Sequence, residues 1–240
     1  MNYHIRMLNR VFLLILLSAA FLNAQDLFEA KVYVQGSDND EPMFIYTNSE
    51  DTVEGKIILS QYYHYTNGEL FASEELFLDE EKRWEKHVAD FPLLDERSEM
   101  LRSGDKVNLT FTKKDRTKTR TQNLETPLLF GPVQQSFLRE NLDILKSGEP
   151  VYLYIPVAEY GRLIQFKIEK TEDVPYDEPG TLAVVMNTKS FILSWFIGDT
   201  YFIIDKDDGT IREIHGSSAL KQQVNGKWEY IDVDIFFEYL

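Results

Sequence analysis

The chain has 240 residues, no cysteine, 40 acidic against 25 basic side chains, 43% apolar content and a formal charge of −15. That describes one globular domain, or at most two small ones, able to bury roughly 70% of its unfolded surface without covalent staples. Disordered, collagenous and disulfide-scaffold classes are excluded, and so large an acidic excess argues against nucleic acid as a partner, since a phosphate backbone demands a basic footprint.

The first 24 residues read as a signal peptide. Arg6 and Arg10 form a positive n-region, Val11 to Leu17 an apolar h-region, and Leu22-Asn23-Ala24 a small-residue cleavage site. The bland alternative is an uncleaved anchor, but the apolar run from Val11 to Leu22, interrupted by Ser18, is short of the about 20 residues a spanning helix needs. The expectation is an exported chain, periplasmic or extracellular, with residues 25–240 as a single β-rich domain. Without a cysteine near the cleavage site, a covalent lipid anchor cannot form. An exported chain of this length with no disulfide also leans towards a bacterial envelope.

From Lys31 onward, period-two alternation dominates. Strands are predicted at 30–34, 43–46, 53–65, 70–78, 84–88, 107–112, 151–157, 163–169, 182–186 and 201–204, with more after Thr210. Between them lie Asn67-Gly68, Ser103-Gly104-Asp105, Asp207-Asp208-Gly209 and Asn225-Gly226, the chemistry of tight turns. Short links between consecutive strands imply an antiparallel meander. Residues 93–102 suit either a short helix or a hairpin closing onto 107–112, and the hairpin is preferred. Asn108-Leu109-Thr110 is read as ordinary strand sequence rather than a glycosylation site.

The one good helix signal starts at Gly131-Pro132 and ends at Ser147-Gly148, a helix at about 131–146. Val133, Phe137, Leu138, Leu142, Ile144 and Leu145 cover about half its circumference, so that face is expected on the sheet. The proline-bearing stretch 172–180 is a loop.

Catalytic chemistry is largely missing from this sequence. Cysteine and G-x-S-x-G are absent, and His215-Gly216-Ser217-Ser218 reads as a turn ending a strand, because neighbours on a strand point to opposite faces. His64, His87 and His215 stand apart and are expected as partly buried polar side chains rather than metal ligands. Asp205-Lys206-Asp207-Asp208-Gly209 has its glycine one place early for a calcium loop and fits a hairpin tip. Asp232 and Asp234 share a strand face, and the carboxylate pairs at 74–75 and 79–81 are ordinary in so acidic a chain. No catalytic residue, metal site or cofactor is nominated, and the chain is not expected to be an enzyme.

Two segments stand out. Lys114, Arg116, Lys118 and Arg120 alternate with Asp115, Thr117, Thr119 and Thr121, so an extended strand would line four cations on one face. They could hold an anionic headgroup or an acidic partner; the plainer reading is a solvated edge strand whose lysines discourage edge-to-edge pairing. The heptad from Phe191 through Trp195 and Phe196 to Ile197 is the most apolar of the mature chain. It is core, or else the wall or lid of an apolar cavity.

Between Thr126 and Leu240 the order of features is Phe130-Gly131-Pro132 opening a helix, Lys146-Ser147-Gly148-Glu149 before a strand, and then Ser194-Trp195-Phe196. Tyr201 to Asp205 follows, leading through Asp208-Gly209-Thr210 to Ile211-Arg212-Glu213 and Gly216-Ser217-Ser218. This resembles a group of exported bacterial half-barrel proteins, similar in plan to the lipoprotein-localisation carriers. The resemblance implies a curved antiparallel sheet, half-barrel or lipocalin-like, wrapped around one amphipathic helix with an apolar concavity.

The expected function is therefore a soluble, exported binding protein of the cell envelope. It would hold a lipid or other apolar molecule between sheet and helix, against Phe137, Leu138, Phe191, Trp195 and Phe196. The alternatives are an interaction or assembly protein using the acidic surface and the basic strip towards an envelope protein partner, and an outer-membrane β-barrel. The barrel is disfavoured by the internal helix and by charge on outward strand faces.

Overall fold

Branched and aromatic residues at alternate positions bury one face of most strands against the core. The computed structural model describes residues 27–37, 40–172, 174, 178–188 and 198–240; the signal-peptide reading of 1–24 and the heptad holding Phe191, Trp195 and Phe196 lie outside them. Eight strands come first: β1 (Phe28–Val34), β2 (Phe44–Val53), β3 (Lys56–Tyr65), β4 (Leu70–Leu78), β5 (Trp84–Phe91), β6 (Glu96–Ser103), β7 (Lys106–Lys113) and β8 (Arg116–Asn123). Two short helices follow, α1 (Gln134–Glu140) and α2 (Leu142–Ser147). The chain then adds β9 (Val151–Val157), β10 (Arg162–Lys170), β11 (Thr181–Thr188), β12 (Thr200–Asp205), β13 (Ile211–Val224) and β14 (Lys227–Tyr239).

All fourteen strands join one curved antiparallel sheet in the order β8-β7-β6-β5-β4-β3-β2-β1-β14-β13-β12-β11-β10-β9. Two meanders, β1–β8 and β9–β14, thus meet where β1 pairs with β14, Phe28 opposite Tyr239 and Val34 opposite Val233. The inner face carries the core. One cluster joins Val32, Phe44, Phe166, Phe202 and Val233 to the helices through Leu138, Leu142 and Leu145. A second joins Leu59, Leu76, Met100 and Leu109 to Phe130.

The expected mainly β architecture around a helical segment is present, with local corrections. The single predicted helix is a 3-10 turn at Gly131–Val133 followed by α1 and α2. At the break, Asn141 leaves helical geometry (φ −103°, ψ 8°) and its Nδ2 donates to Phe137 O at 2.8 Å, a side-chain bond that competes with the helix ladder. Ile144, assigned to the buried face, is 41% exposed. The run 53–65 is divided by a turn at Glu54-Gly55, so that β2 and β3 form a hairpin. Residues 92–94 make one 3-10 turn before β6, and the preferred hairpin of β6 with β7 is there.

Opposite the helices, β13 and β14 outrun their neighbours. An irregularity between Ser217 and Lys221 bends the hairpin across the end of the sheet. There Lys221 Nζ donates to Glu96 Oε2 at 2.8 Å, although β6 and β13 are far apart in sheet order. Both residues are buried, at 8% and 6% exposure. Lys113 Nζ meets the other Glu96 oxygen at 2.7 Å, and Lys221 Nζ sits 4.7 Å from the Tyr230 ring centre. Tyr230 in turn donates to Glu159 Oε2 at 3.1 Å. Burial raises the Glu96 carboxyl, but the hydrogen bonds from Lys113 and Lys221 outweigh it and hold the group below the ordinary glutamate range.

Candidate functional site

After β8 the chain turns inward. Leu129 N donates to Tyr154 O at 2.9 Å and Tyr154 N to Pro127 O at 2.8 Å, so this stretch covers the outer edge of β9. Phe130 then enters the second core cluster against His87, ring centres 4.7 Å apart. Gly131 is held by two inward side chains: its N–H donates to Glu74 Oε1 at 2.9 Å, and its carbonyl accepts from Gln61 Nε2 at 3.0 Å. His87 Nε2 meets the same Glu74 oxygen at 2.7 Å. A methyl on Gly131 would collide with Glu74 Oε2 and Gln61 Oε1, which is why the plug carries glycine there. Tyr46 and Tyr63, stacked 4.4 Å apart beside this group, are raised by burial and secondarily by other groups, the Glu74 carboxylate among them. The cradle anchors the plug to the sheet.

A wider opening lies at the helix end. Gln135 of α1 reads the β12–β13 turn through its main chain, donating from Nε2 to Gly209 O at 2.9 Å and accepting from Ile211 N at 2.8 Å. Tyr239 Oη donates to the same Gln135 oxygen at 2.8 Å or to Ile211 O at 2.6 Å. Gly209 has a left-handed φ of +76°, and a Cβ there would stand 2.9 Å from Arg139 Cα, so turn and helix touch backbone to backbone. Beside this joint runs a groove of about 910 Å³. Leu27, Phe236, Phe237 and Tyr239 line it together with Arg139, Arg212, Asp205, Asp208 and Glu213, a wall of mixed charge in which Phe236 stands opposite Glu213 across the β13–β14 pair. Arg139 Nε donates to Asp208 O at 3.2 Å, and Arg212 pairs with Asp205 at 2.5 Å. Main-chain donation from Asp207, then the Arg212 guanidinium, holds the Asp205 carboxyl below its ordinary value.

His215 lies on the face of β13 opposite to Ile214. Its ring nitrogens stand 2.7 Å from Asp234 Oδ1 and 2.7 Å from Glu213 Oε2. The four residues 215–218 are not a strand-ending turn as expected but the interior of β13. Residue 216 is glycine in the middle of this strand because its φ is +100° and a Cβ would strike the Asp199 carbonyl. Ser218 Oγ donates to Ile231 O at 2.8 Å, away from His215.

Of the residues singled out for a ligand, Leu138 is 1% exposed inside the core cluster and Phe137 is half-buried against it, so both pack the helices onto the sheet. The cation row is three long, not four. Lys114 occupies the β7–β8 turn with φ +52°, while Arg116, Lys118 and Arg120 pair across to Lys113, Phe111 and Leu109 and share the inner face with them. The rim groove was not foreseen from the sequence. Its one local signal is the Asp208-Gly209 turn, and its parts come from residues 27 to 240.

Sheet and helices define the class, a curved antiparallel β-sheet domain with an inserted helical segment. No known family model matches the chain, and neither does any curated protein. Among solved structures, one described as a beta-barrel-like protein of the domain of unknown function DUF1849, from Brucella abortus, is similar at 10% identity and a TM-score of 0.45. The likeness covers 91% of this chain and 98% of that one.

Proposed function

We propose that the protein is an exported, β-rich binding module of the envelope that holds a small amphiphile in the rim groove, with the apolar part on Phe236, Phe237 and Tyr239 and a zwitterionic head on the wall of mixed charge. The observation that carries this reading is the groove itself: about 910 Å³ is within the range of small-molecule sites, and its lining brings aromatic side chains together with charges of both signs. Beneath the helices, Leu138, Leu142 and Leu145 occupy the space a carrier would leave for its cargo, which moves the ligand from under α1 to its flank. Paired guanidinium and carboxylate groups suit a head bearing both signs better than a simple anion. The sheet also leaves β8 without a second partner strand among the described residues, a condition hydrocarbon does not tolerate and an outer-membrane barrel avoids.

The test is calorimetric titration of the mature chain with dodecylphosphocholine below its micelle concentration, beside organic extraction of protein purified from its native host. One-to-one binding, weakened roughly tenfold by Phe236→Glu and accompanied by a stoichiometric extracted lipid, is the expected result. No heat and an empty extract would sink the proposal.

A further inference from the structure

We propose that strand β8 is a docking edge for an extended acidic segment of another protein, which adds to the sheet as a further strand. The sheet order ends at β8, whose only partner among the described residues is β7. Along β8 only Gln122 is not fully exposed. Antiparallel pairing uses alternate main-chain groups, so every second N–H and C=O of β8 faces outward unpaired.

Its two faces differ. Thr117, Thr119 and Thr121 are satisfied across the strand pair, bonding to Thr112, Thr110 and Asn108 at 3.0, 3.0 and 2.6 Å. The opposite face presents Arg116, Lys118 and Arg120, with Gln122 following on the same face. The three cations make no ion pair among the described residues, and the Gln122 Nε2 is buried with no hydrogen-bond partner. Three consecutive inner-face positions thus offer cations without an ion-pair partner, in a chain of net charge −15.

Side chains on one face of a strand repeat every two residues, about 6.8 Å. A partner strand with a carboxylate at every second position has the same repeat and sets each acid across from a cation, at the roughly 5 Å cross-strand distance where opposite charges stabilise. A second copy of β8 would oppose cation to cation. A nucleic-acid strand offers only acceptors along its phosphates and leaves the outward carbonyls unmatched. A polypeptide supplies both the main-chain donors and the acids, which is the strand-addition mode of recognition.

The test uses a fluorescent peptide of about nine residues alternating glutamate and threonine, titrated against the full chain by anisotropy at about 0.15 M salt. Saturable binding is expected. It should weaken roughly tenfold or more for the doubly reversed Arg116→Glu, Lys118→Glu chain, and equally for the same peptide N-methylated at alternate main-chain positions so that it keeps its charge but cannot pair as a strand. A lysine-threonine peptide should not bind. Equal affinity for the N-methylated peptide, equal affinity for a single-stranded oligonucleotide of the same charge, or self-association of the chain that displaces the peptide would each overturn the proposal. Both reversed positions are solvent-exposed, and the N-methylated arm needs no variant, so a folding failure leaves the test decisive.

Discussion

Replacing Lys221 by methionine is expected to loosen the hairpin that crosses the end of the sheet. Methionine keeps most of the apolar stem over Tyr230 but removes the ammonium that meets Glu96 at 2.8 Å. Deleting one partner of a buried pair costs about 3–5 kcal/mol, because the other charge is left uncompensated. Glu96 keeps its 2.7 Å bond from Lys113, whose side chain is half exposed, so a loss of about 2–3 kcal/mol is expected here. For a chain of this size that is a fall in Tm of about 5–10 °C. The double variant Glu96→Gln, Lys221→Met should recover most of the loss, since a neutral amide needs no counter-charge. The sign of the pH dependence follows from the depressed Glu96 carboxyl: its contribution is present above the unfolded value near 4.5 and disappears as pH falls through the lower folded value. The gap between wild type and Lys221→Met should therefore be full at pH 7 and shrink in acid. Urea denaturation of the three chains at pH 7 and in acid measures it. A single-variant loss under about 0.5 kcal/mol, or a double variant no better than the single, would refute the buried-pin argument.

Two further outcomes follow from the plug. Gly131→Ala pushes a methyl into Glu74 and Gln61, and should cost about 1–3 kcal/mol by chemical denaturation; a neutral result would mean the cradle is slack. Gln135→Leu removes the three hydrogen bonds that join α1 to the β12–β13 turn and Tyr239. Faster amide exchange across Gln134–Glu140, with the β3–β5 amides unchanged, is the expected pattern, and uniform acceleration would contradict a local joint.

Much of the sheet was legible because alternation and turn residues act locally. Asn67-Gly68, Gly104-Asp105, Asp208-Gly209 and Asn225-Gly226 all fall between paired strands. Two left-handed residues outside the usual turn formers are not legible: Glu54 at φ +53° hides a turn, and Lys114 at φ +52° sits in a turn where alternation reads a strand. The helix break escaped because Asn141 ends α1 with a side-chain bond that helical periodicity does not encode. The long course of β13 through Gly216 escaped because a glycine at φ +100° inside a strand carries the same local signature as a turn. The cradle and the rim groove were beyond reach for a different cause. Glu74 and Gln61 meet Gly131 across 57 and 70 residues, and Gln135 meets Tyr239 across 104; no local pattern marks such meetings.

The meeting of β1 and β14 in mid-sheet governs how the chain can be made. Every other pair of neighbouring strands is consecutive in the sequence, but the pairing of β1 with β14 must wait for nearly the whole polypeptide. Until then two independent ribbons exist, each with a tacky hydrophobic border, and the slowest closure falls at the end of synthesis. Without β14 the two ribbons would be tied by core packing and the Lys221–Glu96 pair, with no strand pairing between them, and the final strand acts as the clasp that fastens them.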